Sequence, residues 1–193
     1  VRRELDEAGL LPLRLVLQCA LDTPEDYQTF LDAHIQDGRM WKLGPLKLFL
    51  DGSLGARTAW LRRDYADEPG QRGLCCLDPD TALTMARMAD AAGKQVVAHA
   101  IGDAAVDEML DIIEALAPDG RNPHRHGVVH CQITTRDQWD RFAALQAGAL
   151  VQPVFLDYDH TIVTARCGAE LAATSYTFGT AVRLGVPVSY GTD

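Results

Sequence analysis

Apolar and polar positions along this chain alternate in two periods, and the switches between them mark its elements. Over Leu11–Leu21, residues Leu13, Leu15, Leu17 and Cys19 recur at every second position, which predicts a strand. Thr23-Pro24-Glu25-Asp26 then supplies a capping threonine, a proline suited to a first helical turn, and acids that complement a helix amino end. Tyr27, Phe30, Leu31, His34 and Ile35 follow at helical spacing up to Gly38, so His34 is expected on a packed helix face with no further role. Leu46–Leu50 predicts the next strand, with Leu46, Leu48 and Leu50 on one face and Lys47, Phe49 and Asp51 on the other. A helix from Asp78-Pro79 to Gly93 buries Leu83, Ala86 and Ala89. Val96–Ala98 predicts a short buried strand that delivers His99, and Gly102 turns the chain into a helix over Asp103–Leu116. Its stripe is Val106, Met109, Leu110, Ile113 and Leu116.

The pattern repeats in the second half. Val128–Gln132 reads as a strand with Val128, His130 and Gln132 on one face. Thr135–Gln138 is a capping box for a helix carrying Trp139, Phe142 and Leu145. Ala149–Val154 predicts a strand, Tyr176–Leu184 a short helix ended by Gly185, and Val186–Tyr190 a last strand running to Asp193. Alternating strands and helices imply parallel βαβ units. No glycine-rich dinucleotide fingerprint or phosphate loop supports a doubly wound sheet. The long connections, Asp51–Leu77 and Phe155–Thr174, follow strands, which places function on the carboxyl face of the sheet. The expectation is an α/β fold: one partial (β/α)8 TIM barrel over residues 1–193, holding strands three to eight. Asp51–Leu77 is expected to be a lid, with Arg57, Trp60, Arg62, Arg63 and Tyr65 either touching substrate or simply on the surface.

Composition narrows the function classes. With 193 residues and 47% hydrophobic content, the chain can build a core and is not a disordered segment. A net charge of −9 without a basic patch argues against a nucleic-acid partner. No apolar run approaches the ~18 residues of a membrane span, and no signal-peptide pattern is present. Five cysteines (Cys19, Cys75, Cys76, Cys131 and Cys167) form no CxxC pair, which argues for a reduced, cytoplasmic protein and against a zinc ribbon. Val1 enters directly into what reads as a helix tail, and Asp193 stands at a strand end, so the chain reads as a fragment of a longer one.

Lys47, His99, His130 and Asp193 all fall at or near strand carboxyl ends, which converge on one bowl in a barrel. Imidazole and carboxylate donors suit zinc and related divalent metals. A charged lysine on an inner face is costly. Addition of CO2 to its amine would make a carbamate, an anion able to bridge two metals. Asp193 could bind metal and accept the proton of a metal-bound water, whose pKa falls to about 7. The plain alternatives are an edge strand with Lys47 in water, and strand-end histidines that serve the core. His124 and His126 flank Arg125 but precede their strand, and are expected in surface or structural roles at its amino end.

Several stretches carry a resemblance: Lys47–Ser53 (KLFLDGS), His99–Ala105 (HAIGDAA), His126–Gln132 (HGVVHCQ), Val151-Gln152-Pro153 and Gly191-Thr192-Asp193. Together and in this order they resemble the amidohydrolase superfamily, and more narrowly amidohydrolase family 3, the branch that includes N-substituted formamide deformylase. The resemblance runs from about Leu11 to Asp193. It implies a metal-dependent hydrolase that cleaves non-peptide C–N bonds, typically of small amides, with one or two divalent ions, zinc foremost. It makes Lys47 the candidate carboxylated bridge, His99 the strand-five ligand and His130 the strand-six ligand. Asp193 becomes the strand-eight acid that orients or deprotonates the water, and Gln152 a substrate-pocket residue. Many relatives carry Glu before the strand-six histidine. This chain has Val129, which simple alternation assigns to the outer face. The family's first-strand His-x-His pair and its small β-sandwich are not found here, so an inactive fragment with weak metal binding is expected. Two other readings stand beside this one: a non-catalytic piece whose open sheet edges pair with a second copy, and a metal-dependent phosphoesterase with similar ligands.

Overall fold

The computed structural model describes residues 2–117 and 119–193. Its strands are β1 (Leu15–Ala20), β2 (Trp41–Phe49), β3 (Val96–Ala100), β4 (Gly127–His130), β5 (Gly148–Val151) and β6 (Val188–Tyr190). They lie side by side in chain order, every neighbouring pair parallel, in one curled six-stranded half-barrel. Parallel neighbours need a crossover. Helices α2 (Pro24–Asp32), α3 (Pro79–Ala91), α4 (Asp103–Leu116), α5 (Arg136–Leu145) and α8 (Phe178–Arg183) supply these after the short first helix α1 (Arg2–Glu7). Two further helices, α6 (Leu156–Asp159) and α7 (Val163–Ala172), fill the connection after β5. Among the described residues, no helix is long and apolar enough to cross a membrane.

Burial separates the two faces of the sheet. Leu46, Leu48, Val96, Ala98, Ala100, Val128, Ala149 and Val151 join the core beneath the helices. In the register, Leu48 pairs with Ala98, Ala98 with Val128, and Val128 with Ala149, so this outer layer is continuous. The opposite layer runs Phe49, His99, Val129, Leu150 and Ser189, again as register partners. Val129 therefore faces the same side as His99, not the outer side that simple alternation assigns it. The error lay in starting the count from His130, which leaves the regular strand geometry.

Several element boundaries also move. Leu13 is exposed and β1 begins only at Leu15. Helix α2 stops at Asp32, and His34 lies beyond it in the open with φ 44°, not on an apolar stripe. β2 starts earlier than expected and lies between β1 and β3, so Lys47 is on an interior strand. β4 ends at His130 because His130 and Cys131 both take positive φ, 83° and 52°. Val151 closes β5, since Pro153 opens a 3-10 turn. Strand β6 begins at Val188, and α8 starts at Phe178. Helix α4 spans the expected residues.

The segment 51–77 is no free lid. Leu54, Ala59, Leu61 and Tyr65 are buried in the main core, and the Tyr65 hydroxyl donates to the Ala59 carbonyl at 2.8 Å. The Trp60 carbonyl accepts from the amides of Ala104 and Ala105 at the start of α4. Gly102 is required at this contact, because a Cβ there would meet the Trp60 carbonyl oxygen at 2.0 Å. Arg62, a candidate substrate contact, instead forms ion pairs with Asp107 and Asp137, while its backbone amide donates to Asp103. The segment is a fixed wall on the carboxyl side of the sheet.

Candidate active site

The carboxyl ends of β2, β3, β4 and β6 open on one cavity of about 540 Å³. Lys47, His99, His130 and Asp193 all line it, with Phe49, Gln132, Phe155, Tyr158 and Asp159. The four predicted donors are thus brought together. Gln152 is buried close by but is not part of the lining; its Nε2 donates to the Leu150 carbonyl at 3.1 Å. His124 and His126 lie elsewhere, at the amino end of the sheet, as expected. There His126 Nδ1 accepts from the Val96 amide at 3.0 Å, and its Nε2 faces Asp90 at 3.1 Å.

The two strand-end imidazoles meet edge to face with ring centroids 4.5 Å apart. A regular strand would send their side chains to opposite faces, because His130 pairs in register with Ala100 of the outer layer. The positive φ of His130 turns its ring into the bowl instead. Such backbone is strained in a non-glycine residue and costs on the order of 1–3 kcal/mol, which surrounding structure must sustain. Burial pushes the His130 pKa down to about 4, and the neighbouring His99 adds to the effect. His130 is therefore neutral near pH 7, the form in which imidazole binds metals. Its buried Nδ1 makes no hydrogen bond of good geometry among the described residues, although the Gln152 side chain lies near enough to favour the protonated ring slightly.

Lys47 is almost buried, and burial lowers its pKa to about 8 against the pull of Asp193. Its Nζ lies 5.3 Å from the centre of the Phe49 ring. An amine in this state has an appreciable neutral fraction, the form that adds CO2. Asp193 follows β6 and reaches the cavity from its exposed side.

Asp51 is the main residue that sequence reasoning left without a role. Its fully buried carboxylate accepts from His99 Nδ1 at 2.8 Å, and also from the amides of Trp60, Ile101 and Gly102. The shared parity of Lys47, Phe49 and Asp51 was the available signal. Gln132 and Asp159, likewise unassigned, add to the polar lining with Gln18 and Ser53; Asp159 accepts a hydrogen bond from the Tyr176 hydroxyl.

The donors fit a divalent metal in kind: two imidazoles, one with an unpartnered buried nitrogen, a carboxylate and a low-pKa amine. They are not closed around a point, since among the described residues no group of three or more His, Cys, Asp or Glu is placed to hold an ion. A separate cavity of about 490 Å³ beside Arg62 is walled by charges that already pair with one another, such as Arg62 with Asp137 and Arg63 with Glu170.

The sequence profile of the Amidohydrolase family matches residues 1–193. The chain belongs to the amidohydrolase family. Among curated relatives it is 33% identical over 185 residues to Protein LONG AFTER FAR-RED 3 of Arabidopsis thaliana, covering 93% of this chain and 32% of that protein. It is 32% identical over 152 residues to the putative amidohydrolase YtcJ of Bacillus subtilis (strain 168), covering 79% of this chain and 28% of that one. Among solved structures, an uncharacterized metal-dependent hydrolase from Pyrococcus furiosus superposes with TM-score 0.86 at 30% identity, covering 98% of this chain and 39% of that one. Its counterpart from Pyrococcus horikoshii OT3 gives 0.85 at 28% identity, with 98% and 38% covered. The chain therefore spans about a third of the length of these relatives.

Proposed function

We propose that this amidohydrolase-family chain supplies the strand-four to strand-eight side of a divalent-metal centre in a hydrolase that cleaves a C–N bond of a small amide. The observation that carries this reading is the meeting of His99 and His130 in the bowl, with Lys47 and Asp193 on the same cavity wall. The left-handed backbone at His130 is what brings its ring into the bowl beside His99. The metal-dependent hydrolases of similar structure support the same assignment.

In this reading His99 and His130 hold the ion, zinc being the natural match for two imidazoles. When bound, it supplies Lewis-acid polarisation of the scissile carbonyl and a water acidic enough to attack near neutral pH. Lys47 completes the donor set after carboxylation of its amine. Asp193 orients the attacking water and takes its proton, then returns it to the leaving amine. Phe49, Phe155 and Tyr158 hold the apolar part of the substrate, and Gln152 backs the pocket.

Zinc titration followed by calorimetry tests the centre. His99→Ala and His130→Ala should each weaken binding at least tenfold, and the double variant should lose little more, because either change breaks the pair. Unchanged affinity in both single variants would exclude these histidines as ligands. In zinc-loaded protein that also carries the family's first-strand His-x-His pair, without which this chain is expected to be inactive, a panel of N-substituted formamides, simple amides and phosphate monoesters separates C–N cleavage from phosphoester cleavage.

A further inference from the structure

Asp51 sits two residues beyond the end of β2, with its side chain fully buried. Its Oδ1 receives His99 Nδ1 at 2.8 Å and the Ile101 amide at 3.1 Å. Its Oδ2 receives the Gly102 amide at 2.8 Å and the Trp60 amide at 3.0 Å. Four donors from two parts of the chain, Trp60 and the stretch from His99 to Gly102, thus converge on one carboxylate, which only accepts. The hydrogen between it and His99 must therefore lie on Nδ1, so the lone pair of a neutral ring is left on Nε2. His99 lines the cavity, and its ring meets His130 there.

We propose that Asp51 is the positioning residue of the site: it locks His99 as the Nδ1–H tautomer with its Nε2 lone pair toward the bowl, and couples that lock to the wall at Trp60. The proposal rests on the reading of His99 as a metal ligand, and it adds the group that prepares it. Carboxylates behind ligating histidines fix ring orientation and raise ligand basicity, and losing one typically weakens metal affinity about 10–100-fold. The wall then has a second function besides enclosing substrate. A displacement at Trp60 would loosen the carboxylate that holds His99, so the wall and the donor geometry move together.

Nitrogen-15 NMR of the histidine side chains, at a pH where they are neutral, reads the tautomer directly. The full chain should show His99 with hydrogen on Nδ1; hydrogen on Nε2 overturns the proposal before any variant is made. Asp51→Asn keeps the size but replaces an acceptor oxygen with a donor, against three backbone amides. It should convert the single tautomer to a mixture and weaken zinc binding about 10–100-fold. A variant that keeps a pure Nδ1–H ring and binds zinc within about twofold of the native chain also overturns it. Tyr65→Phe removes a different anchor of the same wall, and should lower the melting temperature while leaving the tautomer alone. If zinc leaves the His99 Nε2 signal unmoved while the tautomer responds to Asp51→Asn as stated, positioning holds and the ligand reading fails.

Discussion

His99 and His130 meet at 4.5 Å although they are not cross-strand partners: His99 pairs with Val129, and His130 with Ala100. The meeting depends on the positive φ at His130 and on the bend that continues through Cys131. Two adjacent strands thus give one imidazole from a regular position and one from a broken position.

This has a consequence for stability that separates a ligand from a packing residue. In metal-free protein, His130→Gly removes a strained side chain and an unsatisfied buried nitrogen, contributions of about 1–3 kcal/mol each. It also removes the burial of the ring and its contact with Phe155 at 6.1 Å. The net change in urea unfolding should lie within about 1 kcal/mol of zero, or be stabilising. A loss above about 3 kcal/mol, the cost of deleting a well-packed aromatic, would make His130 a core residue.

Gly102 is where the wall meets the site. An added Cβ would come within 2.0 Å of the Trp60 carbonyl oxygen and 2.7 Å of its amide nitrogen, both backbone atoms that cannot rotate aside. Gly102→Ala should therefore cost at least about 2 kcal/mol and open the 51–77 segment to limited proteolysis. Gly55→Ala, in the same segment, meets only the tip of Ile162 at 3.9 Å. It should change stability by less than about 0.5 kcal/mol and leave the proteolysis pattern as it is.

How far the sequence can be read here depends on the range of the interaction. Helix α4 is local: its stripe from Val106 to Leu116 and the turn at Gly102 suffice, and the element spans the expected residues. The strand order follows from simple βαβ alternation, and the four donors meet because strand carboxyl ends meet. What fails is geometry that departs from the regular period. Helical spacing continues through His34, but the chain leaves the helix after Asp32. Parity counted from His130 puts Val129 outside, because nothing in HGVVHCQ announces left-handed backbone at the histidine. Asp51 and His99 are 48 residues apart, and their hydrogen bond rests on a tertiary contact that no local pattern records. Similarly, the glycines and charges of 51–77 read as an open lid, while its apolar residues are spaced to suit a specific surface and not a period.

The inner placement of Val129 can be tested by charge. Val129→Glu would put a carboxylate beside His99 in the cavity layer, where a bound cation can neutralise it. The variant should fold, lose about 1–3 kcal/mol without metal, as expected for a poorly solvated polar group, and recover that loss with zinc. Zinc affinity should rise at least tenfold. A glutamate buried among the helices on the outer face would instead unfold the protein, with no rescue by zinc.

At the amino end of the sheet, His126 makes stability depend on pH. Burial depresses the pKa of His126, against the pull of Asp90. Its Nδ1 already accepts from the Val96 amide, so protonation there would break a bond that anchors the start of β3. The unfolded chain takes up its proton near the ordinary value of about 6.5, while the folded chain resists until lower pH. In that window the unfolded state holds more protons, so stability rises with pH and falls on acidification. Metal-free protein should thus lose stability between about pH 7 and about pH 5, and His130, depressed to about 4, adds to the same slope. His126→Gln should lower stability at pH 7 yet flatten the slope, since the remaining dependence then comes mainly from His130. Urea midpoints measured across the window decide it: a steeper slope in the variant would mean that Asp90 holds His126 charged in the folded protein, and an unchanged slope that its proton affinity does not change on folding, either result excluding a ring kept neutral by the Val96 amide.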